Sequence, residues 1–233
     1  MTMIGDDLQH VRQRIAKACA DAGRDPGAVR LLAVSKTFGP EAVREAHAAG
    51  QAAFGENYVQ EGLDKIAALA DLRAGLEWHC IGPLQSNKTR PVAEQFDWVH
   101  GIDRLKIAER LSAQRPAHQP PLQVCLQVNV DGGANKSGVT PEEALPLARA
   151  VAALPQLVLR GLMAIPEPAP DFEAQRALFL RAKALFDEIR GAGIALDTLS
   201  LGMSADLEAA VSAGSTMVRI GTAIFGGRPR KAA

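Results

Sequence analysis

Apolar residues recur along this chain in two rhythms. Leu8, Val11, Ile15 and Ala18 fall at helical spacing, and Gly23 followed by Pro26 ends that segment, which predicts a helix within residues 1–25. Beyond it, short apolar runs occur at 31–34, 52–54, 77–81, 97–99, 122–130, 158–163, 198–200 and 216–220. Amphipathic stretches separate the runs, with start signals such as Pro40 at a first helical turn and the capping-box-like Thr140-Pro141-Glu142-Glu143. Eight strands alternating with helices predict an α/β fold, a single (β/α)8 TIM barrel with an extra N-terminal helix. An open doubly wound sheet would use the same elements, but eight regular repeats without a dinucleotide fingerprint favour closure.

Composition narrows the class. The 233 residues, nearly half of them apolar, suit one undivided domain over 1–233, with 226–233 a loose basic tail. With 26 basic and 26 acidic side chains there is no electrostatic footprint for nucleic acid or an anionic membrane, so neither is an expected partner. No stretch is apolar for the length of a bilayer, and the start of the chain, with Asp6 and Asp7, lacks a basic and then apolar leader. Cys19, Cys80 and Cys125 lie too far apart for a disulfide framework or clustered metal ligands, and no metal is expected. A cytoplasmic location is expected.

Polar and glycine residues gather at the C-terminal ends of the predicted strands. Lys36 closes the first run; Gly55-Glu56-Asn57-Tyr58, His79 with Gly82, Asn129, Ser200 with Gly202, and Arg219 with Gly221-Thr222 close others. Singly, each reads equally well as something plainer: a solvated lysine, a core histidine, a turn asparagine. Jointly they converge on the face that carries barrel active sites. A lysine at a strand mouth can attack an aldehyde where apolar walls lower its pKa. Ser200-Leu201-Gly202-Met203-Ser204 is expected to open a helix, and with Gly221-Thr222 to cradle a phosphate. Lysine, phosphate cradle and an intervening arginine suggest pyridoxal 5'-phosphate (PLP) held as a Schiff base on Lys36.

Four segments carry a family resemblance: Leu32-Ala33-Val34-Ser35-Lys36-Thr37, Gly55-Glu56-Asn57-Tyr58-Val59-Gln60-Glu61, His79-Cys80-Ile81-Gly82-Pro83-Leu84-Gln85-Ser86-Asn87-Lys88, and Gly202-Met203-Ser204 through Val218-Arg219-Ile220-Gly221-Thr222-Ala223-Ile224-Phe225-Gly226. Together they resemble the PLP homeostasis family, the YggS/PROSC type, over almost the whole chain. The resemblance implies a barrel like the N-terminal domain of alanine racemase, with Lys36 carrying PLP. It further implies phosphate binding by Ser200, Gly221, Thr222 and the backbone around Gly202 and Met203. Arg219 would face the pyridine nitrogen, and Asn57, His79 and Lys136 would line the cofactor pocket. Cys80 departs from the bulkier apolar residue usual after that histidine, which matters only if its thiol reaches the pocket.

Two functions follow from the resemblance. One is a non-enzymatic carrier or buffer of PLP within vitamin B6 and amino-acid pools, a monomer with PLP and apo PLP-dependent enzymes as partners. The alternative is an amino-acid racemase, which needs a second base from a tyrosine, and Tyr58 is the chain's one tyrosine. Arg219 weighs against carbanion chemistry, because a permanent donor leaves the ring nitrogen unprotonated and the ring a weaker electron sink. Lys88 and the basic Arg228-Pro229-Arg230-Lys231 are read as solvated, with a minor binding role as the other option.

Overall fold

Leu8, Val11, Ile15 and Ala18, spaced by three or four, are buried along one side of helix α1 (Met3–Asp21). Gly23, in the left-handed region at φ +65°, turns the chain out of that helix. The computed structural model describes residues 3–132 and 137–227. Strands and helices then alternate: β1 (Arg30–Val34), α2 (Pro40–Ala48), β2 (Ala53–Glu56), α3 (Val59–Ala68), β3 (Glu77–Cys80), α4 (Thr89–Gln95), β4 (Trp98–Ile102) and α5 (Leu105–Gln114). They continue through β5 (Leu122–Gln127), α6 (Pro141–Ala152), β6 (Leu157–Met163), α7 (Phe172–Gly191), β7 (Thr198–Ser200), α8 (Leu207–Ser212), β8 (Met217–Ile220) and the short α9 (Thr222–Phe225).

The eight strands form a closed barrel in sequence order, and every pair, including β1 with β8, is parallel. Successive strand residues point to opposite faces, and the core divides accordingly. Ala33, Phe54, Trp78, Val99, Val124 and Val218 join the large cluster between sheet and helices. Leu32, Val34, Ala53, Ile81 and Met217 form a separate cluster, as do Trp98, Cys125 and Met163, and these fill the interior.

The run at 122–130 yields a strand only to Gln127, after which Val128 makes an isolated bridge to Val139. Helix α6 starts with the predicted capping box of Thr140 and Glu143. The segment after β7 does not open a helix at Ser204. A turn intervenes, in which Asp206 accepts a hydrogen bond from the Met203 amide at 2.6 Å, and α8 starts at Leu207. The end of the predicted tail, 228–233, lies outside the described residues.

Candidate functional site

A cavity of about 300 Å³ opens at the C-terminal ends of the strands. Lys36, Asn57, Arg219, Ser204 and Thr222 supply its polar groups, and Val34, Phe38, Ile81, Ile165 and Met203 its apolar walls. Gly221 also lines it; a side-chain carbon there would come within 3.2 Å of the Val34 carbonyl oxygen. A second hollow, about 330 Å³ beneath α1, lies at the other end of β1. Its guanidiniums are engaged elsewhere, Arg12 by the Ala49 and Gly50 carbonyls and Arg30 by Glu77.

Lys36 is held from behind. The Ser35 amide bonds the Gly55 carbonyl, the first backbone contact past the end of β1. The Ser35 carbonyl accepts from Lys65 Nζ at 2.8 Å, and its hydroxyl donates to Glu56 Oε1 at 2.6 Å. Lys65, itself buried, also reaches Glu56 Oε1 and Glu61 Oε1, each at 2.7 Å. Glu61 Oε1 in turn accepts from the amide of Thr37, a β-branched residue at φ +70°. That is an unfavourable backbone conformation, and it persists because this cluster over-determines it. Burial raises the Glu56 pKa, opposed by the Lys65 charge, and its Oε2 is buried with no hydrogen-bond partner among the described residues.

Arg219 forms part of the cavity and is otherwise buried. Its Nη1 donates to the Ser200 carbonyl at 2.6 Å and to the Ser200 hydroxyl at 2.8 Å, and its Nη2 to the Ala164 carbonyl at 3.0 Å. Burial lowers its pKa to about 10, which leaves it a cation at neutral pH. Ser204 Oγ accepts from the Ala223 amide at 3.4 Å and so ties the loop after β7 to the loop after β8.

The predicted residues divide. Lys36, Asn57, Met203, Arg219, Gly221 and Thr222 line one cavity. His79, Ser200 and Gly202 are not among its lining residues, and Lys136 lies outside the described residues. The two-residue period of a strand explains His79 and Ser200. Just past the end of β3 the side chain at the mouth is Ile81, so His79 sits one layer lower, fully buried and bonded to Glu77 and His100. Ser200 is fully buried beneath Arg219, whose hydrogen bond occupies its hydroxyl, so it supports the arginine and does not face the cavity. Ser204, the last residue of the segment read as a phosphate cradle, faces the cavity after Gly202 at φ +92° turns the chain.

Cys80 packs between sheet and helices at 1% exposure, its thiol pushed up to about 12 by burial, and it does not reach the cavity. Tyr58 is 62% exposed and is not among the lining residues. Sequence reasoning missed Lys65 and His100. The signal for Lys65 was a lysine one position from Ile66 on the buried side of an amphipathic helix. His100 left no comparable trace.

Residues 7–229 match the family described as alanine racemase, N-terminal domain. The chain is 60% identical over 228 residues to the Pyridoxal phosphate homeostasis protein of Pseudomonas aeruginosa, covering 98% of this chain and 97% of that one. It belongs to that homeostasis family. The protein of the same name from Escherichia coli K12 is 55% identical over 229 residues, covering 98% of each chain. PipY of Synechococcus elongatus, solved with PLP bound, superposes with a TM-score of 0.80 at 39% identity, over 91% of this chain and 100% of that one. Alanine racemase of Corynebacterium glutamicum shares the fold, with a TM-score of 0.69 and 17% identity, over 98% of this chain but 62% of the racemase.

Proposed function

We propose that this chain binds PLP in the cavity at the barrel mouth, with Lys36 as covalent anchor, and acts in PLP homeostasis as a carrier or buffer. The observation that carries the reading is the convergence of an amine, a buried guanidinium, two hydroxyls and a glycine on one cavity of about 300 Å³. That set fits the cofactor group by group. Lys36 suits the aldehyde, Arg219 the pyridine nitrogen, and Ser204, Gly221 and Thr222 the phosphate, while Ile81, Ile165 and Met203 offer apolar surface to the ring. When bound, PLP supplies an electrophilic aldehyde carbon and an electron-withdrawing ring. The naming of relatives at 50–60% identity and the PLP-bound PipY structure support the same reading.

Arg219 is a donor only, so a ring nitrogen facing it accepts a hydrogen bond and stays unprotonated. That favours storage of the aldehyde over carbanion chemistry. The racemase alternative has weaker support: the one tyrosine, Tyr58, is largely exposed and is not among the lining residues. A cytoplasmic location, a monomeric state and delivery to apo PLP-dependent enzymes belong to the same proposal. Among the described residues no helix is long and apolar enough to cross a membrane.

The test is borohydride reduction of the PLP-treated protein followed by peptide mass mapping, on wild type and Lys36→Ala. A pyridoxyl label on the Lys36 peptide, absent from the variant, is expected. No label, with no visible absorbance from bound cofactor, overturns the PLP reading. Inversion of alanine by protein free of contaminating racemases would establish the enzyme instead.

A further inference from the structure

A line of polar side chains crosses the barrel interior beneath the cavity. Arg219 Nη1 lies 2.8 Å from Ser200 Oγ, Ser200 Oγ 3.2 Å from His100 Nδ1, His100 Nε2 2.9 Å from His79 Nδ1, and His79 Nε2 2.6 Å from Glu77 Oε1. Arg30 closes the far end at 2.9 Å from Glu77. Both histidines and Ser200 are fully buried, and Trp98 stacks on His79 with ring centroids 5.1 Å apart. Glu77, His79, His100 and Ser200 do not line the cavity, and buried imidazoles in an apolar barrel are costly unless their nitrogens are satisfied.

We propose that Glu77, His79, His100 and Ser200 form a one-way hydrogen-bond chain along the barrel axis that positions Arg219 at the floor of the cavity. The inference rests on the reading of Arg219 as the partner of the cofactor ring. Direction follows from donor counting. Arg219 can only donate, so Ser200 Oγ accepts from it and has one hydrogen left to give. That hydrogen goes to His100 Nδ1, so His100 carries its own on Nε2 and gives it to His79 Nδ1. His79 then carries its hydrogen on Nε2 and gives it to Glu77. The hydrogen bond from His79 and the Arg30 charge draw the Glu77 pKa down against the effect of burial and keep it ionised. Every atom in the line has one role, and both rings are neutral.

The opposite orientation needs one more proton. His79 would be doubly protonated, His100 would carry its hydrogen on Nδ1, and the Ser200 hydroxyl would turn away while Oγ accepted from both Arg219 and His100. Burial disfavours the extra charge that this state puts on His79, and the charges facing the two rings divide. Glu77 and Asp97 favour a proton on His79, whereas Arg30 opposes one on both rings and Arg219 opposes one on His100. In the neutral state Nη1 spends its two hydrogens on Ser200 and Nη2 spends one on Ala164. These three bonds fix the guanidinium plane and leave one Nη2 hydrogen and the Nε hydrogen for the cavity side. Ser200 acts through Arg219, and the histidines act through Ser200, so all are positioning residues.

The experiment is long-range proton–nitrogen correlation NMR on the full chain labelled with ¹⁵N-histidine, without PLP and loaded with it. At pH 7 both His79 and His100 are expected as neutral rings with hydrogen on Nε2. Hydrogen on His100 Nδ1, or a doubly protonated ring, overturns the chain. In parallel, Ser200→Ala should remain folded by circular dichroism and take PLP on Lys36. The pH midpoint of its bound-cofactor absorbance should move by about half a unit or more, and Ser200→Thr should restore it. An unmoved midpoint overturns the positioning role. If wild type itself shows neither cofactor absorbance nor a Lys36 label, the PLP reading falls together with the role toward the ring. The ring tautomers of the unloaded protein still decide whether the chain has a direction.

Discussion

Lys65 Nζ lies 2.7 Å from Glu56 Oε1 and 2.8 Å from the Ser35 carbonyl, so a buried cation holds the backbone immediately before Lys36. Glu56 is fully paired on one oxygen and bare on the other, which makes it dependent on that cation. Removing one member of a buried pair costs about 3–5 kcal/mol because the remaining charge is uncompensated. Lys65→Met should therefore lose about that much unfolding free energy in urea. Lys65→Met with Glu56→Gln should recover a large share of it. A single variant as stable as wild type would mean that the cluster does not hold the Lys36 segment.

Substitutions at Ser204 and Ser200 separate the proposed phosphate role from the proposed support of Arg219. Ser204 faces the cavity, whereas Ser200 faces away beneath Arg219. A hydrogen bond to a charged group is worth about 1.5–3 kcal/mol, so Ser204→Ala should weaken PLP binding by roughly 10- to 100-fold. Binding of pyridoxal, which lacks the phosphate, should be unchanged. Equal losses for the two ligands would remove Ser204 from the phosphate site.

Gly202 answers a demand of backbone and packing at once. At φ +92° it lies in the left-handed region, and a side-chain carbon would come within 2.5 Å of the Ala210 methyl on α8. Left-handed backbone costs an L-residue about 1–2 kcal/mol, and overpacking a further 1–3 kcal/mol. Gly202→Ala should therefore destabilise by about 2–5 kcal/mol and weaken PLP binding, because the loop that presents Ser204 starts there. Gly23→Ala is the control, since Gly23 has φ +65° with nothing within 4 Å. It should lose the conformational part only, and equal losses at the two sites would refute the packing contribution.

The strand order, the parallel barrel and the mouth residues Lys36, Asn57, Arg219 and Thr222 were legible because strand ends and glycines are local signals. What lay one layer deeper was not. Whether His79 or Ile81 reaches the mouth depends on where β3 ends relative to its neighbours, a register that no single strand encodes. Ser200 and Ser204 are four residues apart, and the turn at Gly202 decides which of them meets the cavity. Lys65 and Glu56 come from different elements, and their pairing is visible only once α3 packs on β2. The imidazole of His100 reads in the sequence like any other residue of a buried strand.

The buried histidines also predict how stability varies with pH. Burial depresses the folded pKa of His79 and, further, that of His100. In the unfolded chain both titrate near the ordinary value of about 6.5. As pH falls below that value the unfolded state takes up protons that the folded state refuses, so unfolding free energy falls. The slope approaches about 1.4 kcal/mol per pH unit for each ring until its folded pKa is reached. Glu77, already ionised down to about 2, is silent in this window. Urea titrations at pH 7.5, 6.5 and 5.5 should show a plateau above 6.5 and a decline below it. His100→Gln, though less stable throughout, should decline by about one ring's worth less. Parallel curves for the two proteins would show that His100 does not stay neutral in the fold, and the neutral, one-way arrangement beneath Arg219 would have to be abandoned.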